Sequence, residues 1–130
     1  MREITIARNY AETLLSLAQA AGAPEAWGTM MDEAAAALGS PSIEAVMMSP
    51  RVTKERKVEI IRHALAGAPA PFILFLAAVV KRGRQMLLPR IADEYRVLVD
   101  VQLNRVRASV TLARDTDALT LTRLQQAEHE

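Results

Sequence analysis

The stretch that most restricts this chain is "PFILFLAAVVKRGR", residues 71–84. Nine consecutive residues, 72–80, carry no polar side chain, and Lys81, Arg82 and Arg84 then place three cations within four positions. A helix on the surface of a bundle shows a polar face. This one has none, so something must cover more than one of its sides. A bilayer is excluded by length, because a spanning helix needs about 18–20 apolar residues. Extending the run backwards meets Gly67, Pro69 and Pro71, which interrupt a helix. The opening "MREITIARNY" carries charges early and lacks the apolar centre of a signal peptide. The sequence therefore reads as a soluble chain whose apolar run is covered by protein.

The length of 130 residues allows one full domain with a fragment beyond it. Cysteine is absent, which excludes disulfides and thiolate metal sites. A net charge of +1 gives no global attraction to nucleic acid or acidic lipid. Locally, residues 81–107 hold seven Lys or Arg against three Asp or Glu.

Glycine and proline punctuate the first 107 residues. Gly22 precedes Pro24, Gly39 precedes Pro41, and Gly67 precedes Pro69 and Pro71. Glycine past a helix end, then proline at the next start, is the asymmetry of consecutive helices. Gly83 reads as a further stop. Between these marks the apolar residues recur at helical spacing. Ala7, Tyr10, Ala11, Leu14 and Ala18 form one stripe, and Trp27, Met30, Met31, Ala34 and Leu38 a second. Ser40 is placed to cap a third helix through Met48, and Thr53 a fourth with Val58, Ile61 and Leu65 inward. The apolar run is the fifth. The sixth is expected over 85–104, with Leu88, Ile91, Tyr95 and Leu98 on one face. Short connections imply antiparallel neighbours in a bundle. Met30, Met31, Met47, Met48 and Trp27 read as core.

From Val106 the period changes. Val106, Ala108, Val110 and Leu112 alternate with Arg107, Ser109 and Thr111, which predicts a strand. "DTDALTLTRLQQAEHE" then predicts a turn and a helix. The expected architecture is an all-α six-helix N-terminal bundle over 1–105. It is followed over 106–130 by the start, one strand and one helix, of an incomplete α/β C-terminal domain.

Catalytic signals are missing. The histidines are His63 and His129, neither at metal-ligand spacing with another ligand. No nucleophile elbow or phosphate-binding glycine loop occurs. Asp32–Glu33 and Asp93–Glu94 are neighbours on helices and diverge by about 100°; they read as solvated faces rather than an acid/base couple. No cofactor or metal is expected. Lys81, Arg82 and Arg84 read as cations closing a helix C-terminus or as a patch that steers an acidic partner. Nucleic-acid binding would call for a wider basic face with aromatics.

Two readings of the fifth helix remain. It is either a central helix surrounded by the other five, or one of its flanks lines a groove for a partner's amphipathic helix. The first helix favours the groove, since Ile6, Leu15 and Leu17 widen its apolar arc beyond one stripe. The expected groove residues are Tyr10, Leu14 and Leu17 on the first helix with Ile73, Leu76, Ala77 and Val80 on the fifth.

Several motifs in order resemble the delta subunit of bacterial F-type ATP synthases, the family of the mitochondrial oligomycin-sensitivity-conferring protein. The opening "TIARNYAETLLSLAQ" carries its Ala-x-x-Tyr-Ala pattern at Ala7, Tyr10 and Ala11, with Thr13 where alanine is frequent. "SPRVTKERKVEII" is similar to its next motif. "FILFLAAVVKRGRQMLLPRIADEY" is similar to its longest, at Phe72, Phe75, Leu76, Gly83, Arg84, Leu88, Ile91 and Tyr95. "VRASVTLA" looks like its first C-terminal strand. Members continue beyond such a strand, so the resemblance implies an incomplete second domain. It also implies a six-helix first domain and a non-catalytic stator role in ATP synthesis and proton transport. The implied partners are the N-terminal helix of an alpha subunit, in a groove between the first and fifth helices, and the b subunits of the peripheral stalk. The implied location is the cytoplasmic face of the bacterial cell membrane, peripheral and without insertion. A freestanding helical adaptor for another amphipathic helix is the other reading of the same groove.

Overall fold

Proline and glycine set the helix ends largely as the sequence predicts. The computed structural model describes the backbone of residues 2–129 and the side chains of residues 2–116. Its helices are α1 (Arg2–Ala20), α2 (Pro24–Leu38), α3 (Pro41–Met48), α4 (Lys54–Ala64), α5 (Ala70–Lys81) and α6 (Leu88–His129). A single 3-10 turn, Gln85–Leu87, precedes α6. Pro24 and Pro41 are first helical residues, where no backbone N–H is needed. The Thr53 hydroxyl accepts from Arg56 N at 3.1 Å and caps α4 as expected. Ser40 does not cap α3 through its side chain. Its hydroxyl instead donates to the Ala37 carbonyl at 3.0 Å, satisfying the end of α2.

A left-handed glycine closes α5. Gly83 has φ 71°, a conformation that costs glycine little. Gly83 N donates to Val80 O at 2.9 Å and Arg84 N to Val79 O at 3.1 Å. This paired closure satisfies the last carbonyls of the helix and fixes where Arg84 leaves it.

The chain divides into two compact units, Met1–Val99 and Asp100–Glu130. In the first, α5 is the most apolar and most deeply buried helix. Phe72, Phe75, Leu76, Ala77, Val79 and Val80 are buried, and α5 packs most extensively on α4, with α1 on another side. Only a narrow strip reaches the surface, with Leu74 60% exposed and Ala78 and Lys81 beside it. The rest of the core is Ala7, Ala11, Leu14 and Ala18 of α1, Trp27, Met31, Ala34 and Leu38 of α2, and Ile61 of α4, all buried. The first turns of α6 add Leu88, Ile91, Tyr95 and Val99. Trp27 meets Phe72 edge to face at 5.6 Å between centroids. Met31 and Met47 are core as expected, whereas Met30 is half-buried and Met48 exposed. The paired acids serve as struts: Arg96 reaches Asp32 at 2.6 Å, and Arg8 stands 3.6 Å from Glu94.

The second unit corrects the sequence reading. Residues 106–112 are not a strand and 115–117 not a turn; both belong to α6. Among the described residues there is no strand at all. A strand needs a neighbour for its N–H and C=O groups, while a helix pairs them within the segment. Arginine, alanine and leucine in this stretch are good helix formers. Val106 and Val110, one turn apart, share a helical face as readily as a strand face, so their spacing fits both states. The side chain of His129 lies outside the described residues.

Candidate protein-docking site

The α1–α5 seam is built from two motifs more than 60 positions apart, the opening of the chain and the Gly83–Arg84 closure. Tyr10 is half-buried on α1 and meets Phe75 of α5 edge to face, 6.1 Å between centroids. Arg84 Nη1 donates to the Tyr10 hydroxyl at 3.1 Å. A hollow of about 220 Å³ opens beside this pair, lined by Ile6, Asn9, Tyr10, Thr13, Arg82 and Arg84.

Helical geometry explains the α1 wall. Ile6, Tyr10, Thr13 and Leu17 follow an i, i+4, i+7, i+11 spacing and share one flank. That flank adjoins the buried stripe of Ala7, Ala11, Leu14 and Ala18. Ile6, Tyr10 and Leu17 are all half-buried, which leaves apolar surface available along the seam.

The α5 wall differs from the expected one. Phe75 faces Tyr10, and at about 100° per residue the exposed positions closest to it round the helix are Arg82, about 20° away, and Ala78, about 60° away, with the buried Val79 on the other side. Ile73 and Ala77 lie about 160° away, and Val80 about 140°. The structure thus brings Tyr10 and Leu17 to the seam and turns Ile73, Ala77 and Val80 to the far side of α5. Ile73 is half-buried there, and Ala77 and Val80 are buried. Leu14 and Leu76 are wholly buried beneath the surface. The α5 residues expected in a groove are thus not those nearest Tyr10, and the cause is plain. A helix apolar all round carries no polar residue to mark its orientation, so the sequence does not tell one flank from the other. Ala78, Leu74 and Asn9, all exposed, were not among the expected groove residues. The signal that identifies them is their angular distance from Phe75 and Tyr10 once those two are known to touch.

A second hollow, about 130 Å³, lies between Leu38, Met47, Met48, Gln85, Met86 and Leu88. Gln85 Nε2 donates to the Met47 carbonyl at 2.8 Å, and its Oε1 is buried without a partner. Neither hollow gathers groups for acid/base or nucleophilic chemistry. Among the described residues no cluster of His, Asp or Glu is arranged to hold a metal ion. His63 is exposed near the end of α4.

The sequence profile described as ATP synthase delta (OSCP) subunit matches residues 6–129. The chain belongs to that family. It is 41% identical over 114 residues to the ATP synthase subunit delta of Gemmatimonas aurantiaca, covering 86% of this chain and 62% of that one. It is 38% identical to the subunit delta of Anaeromyxobacter dehalogenans, over 88% of this chain and 65% of the relative. With the subunit delta of Burkholderia multivorans the identity is 34%, over 90% and 66%. The chain therefore spans less than two thirds of the length of each of these relatives. The delta-family motifs converge in space: Tyr10 touches both Phe75 and Arg84, and the buried Tyr95 donates its hydroxyl to the Pro24 carbonyl at the start of α2. Among the described residues of this delta-family chain, no helix is long and apolar enough to cross a membrane.

Proposed function

We propose that the chain is a non-catalytic stator subunit, holding the catalytic head of an F-type ATP synthase against rotation. It does so by seating the N-terminal helix of an alpha subunit along the α1–α5 seam. Family membership supports the assignment to the complex. The observation that carries the docking mode is the half-buried apolar flank of Ile6, Tyr10 and Leu17 beside the exposed Leu74 and Ala78. Singly exposed apolar residues are ordinary, but a continuous apolar flank along one seam is the pattern of an interaction surface.

The work done is mechanical. Torque from the central shaft would turn the head unless a joint held it, so the joint must dissociate slowly. An amphipathic helix laid in an apolar groove provides this, at up to about 25 cal/mol per Å² of apolar area removed from water. Tyr10 and Leu17 form the α1 wall, with Leu14 and Leu76 as the packed floor beneath. Contact with the b subunits is assigned to α6 beyond Val99, where Val106, Val110 and Leu112 are exposed. The location implied by this role is peripheral, at the cytoplasmic face of the cell membrane.

Calorimetric titration with a synthetic peptide of the alpha subunit's N-terminal helix, from the same organism, tests the reading. One-to-one binding is expected, and Ala78→Asp should abolish it with far-UV helicity retained. Ala77→Asp is a control of the opposite kind, since a carboxylate at a buried position should disrupt the fold itself. Absence of binding by the folded chain would overturn the docking mode.

A further inference from the structure

The hollow at the end of the seam carries more positive charge than the bundle answers. Arg82 and Arg84 line it with Ile6, Asn9, Tyr10 and Thr13, and none of the six is acidic. Among the described residues, neither guanidinium stands within ion-pair distance of a carboxylate. Three other arginines do stand so, in Arg8–Glu94, Arg56–Glu59 and Arg96–Asp32; what sets Arg82 and Arg84 apart is that two guanidiniums line one hollow. Arg84 is half-buried, and the Tyr10 hydroxyl to which it donates is a neutral acceptor. A guanidinium has five N–H donors, so one such bond leaves most of its capacity and all of its charge unanswered. The partial negative charge at the C-terminus of α5 is shared between Arg82 and Lys81.

We infer that this hollow receives a carboxylate, the Asp or Glu side chain of the amphipathic helix that docks along the α1–α5 seam. The inference rests on the docking proposed above and adds the chemistry of one anchor. Two guanidiniums match a carboxylate's two oxygens through charge-assisted hydrogen bonds. The Tyr10 hydroxyl accepts from Arg84 and still has its own proton to donate. A phosphate would satisfy the charge equally well. The apolar flank of Ile6, Tyr10 and Leu17 continuing from the hollow instead favours an acidic residue that arrives on an apolar helix. The Gly83 closure positions Arg84 before any partner arrives, so little ordering cost remains for binding.

The experiment titrates the whole chain with the alpha subunit's N-terminal helix peptide and with peptides in which each Asp or Glu is changed singly to Asn or Gln. One change is expected to weaken binding about tenfold. That loss should largely disappear when the same pair of peptides is titrated into Arg82→Gln, whose exposed position spares the fold. If every neutral peptide loses equally against both proteins, no carboxylate sits between the arginines; the inference falls while the docking stands. If the unmodified peptide fails to bind, the docking falls, and propionate and inorganic phosphate are titrated separately while the Tyr10 ring resonances are followed by NMR. Shifts with propionate that vanish in Arg82→Gln uphold the carboxylate site. Phosphate binding tighter than propionate, or no shift with either, overturns it.

Discussion

Arg84 ties the end of α5 to α1 through Tyr10: its Nη1 donates to the Tyr10 hydroxyl at 3.1 Å, and its guanidinium carbon stands 5.8 Å from the centre of the same ring. The hydrogen bond is the stronger part, since 5.8 Å is close to the outer limit for a cation over an aromatic face. Tyr10→Phe keeps the edge-to-face contact with Phe75 and removes only the hydroxyl. It should lower unfolding free energy by about 1 kcal/mol in urea titration. Tyr10→Ala also loses the ring and should cost clearly more. Equal stability of Tyr10→Phe and the parent would show that Arg84 is held by Gly83 alone.

Gly28 sits inside α2 because the ring of Tyr95 passes over it. A Cβ at Gly28 would lie 3.2 Å from Tyr95 Cε1. Alanine in a helix interior normally gains about 1 kcal/mol over glycine. Here the ring is wholly buried and anchored at its far end on the Pro24 carbonyl, so it has little room to retreat. Overpacking costs about 1–3 kcal/mol, and Gly28→Ala should be destabilising by thermal melting. In a Tyr95→Leu background the same change should become stabilising. A stabilised Gly28→Ala single variant would mean that the α2–α6 contact yields easily.

Burial pushes the Tyr95 hydroxyl up to about 12 from its ordinary value of 10.0. The folded state thus holds this proton more tightly than the unfolded chain does. The resulting stability is fully present below pH 10 and is lost as pH rises through about 12. The swing is on the order of 3 kcal/mol at most. Lysines and other tyrosines titrate nearby, so the measurement is the difference between the parent and Tyr95→Phe in urea titrations from about pH 8 to about pH 12. That difference should be flat up to about pH 9 and then shrink. A difference independent of pH would place the hydroxyl in contact with water.

The helices of the bundle were legible because their boundaries are written in local chemistry. Pro24, Pro41, Gly22 and Gly83 act within a few residues of their own positions, and Thr53 caps the helix it precedes. The apolar stripes of α1 and α2 were legible because each has a polar counterpart opposite. The orientation of α5 was not, since its apolar residues surround the helix and the contact between Tyr10 and Phe75 is what fixes which flank meets α1. That contact spans 65 positions, from 10 to 75, and no local pattern encodes it. Ser40 shows the same limit on a smaller scale. Its type suits an N-cap, yet its hydroxyl turns back to Ala37, a choice between two adjacent helix ends that spacing does not decide.

The segment from Val106 to Leu112 offers the sharpest test of local pattern against structure. Its alternation predicts a strand, and the structure makes it the middle of α6. Proline distinguishes the two. At Ala108 it would remove an N–H that a helix interior uses and clash with the carbonyl of Asn104, costing about 3 kcal/mol of helix. Ala108→Pro should therefore reduce the far-UV helical signal of the whole chain. Among the described residues, the buried ones of α6 end at Val99, so the Trp27 emission transition of the first unit should be unchanged in the same variant. An unaltered far-UV spectrum would return the segment to the extended state that its alternation suggests. A shift in both signals would show that the folding of the first unit depends on helix beyond Val99.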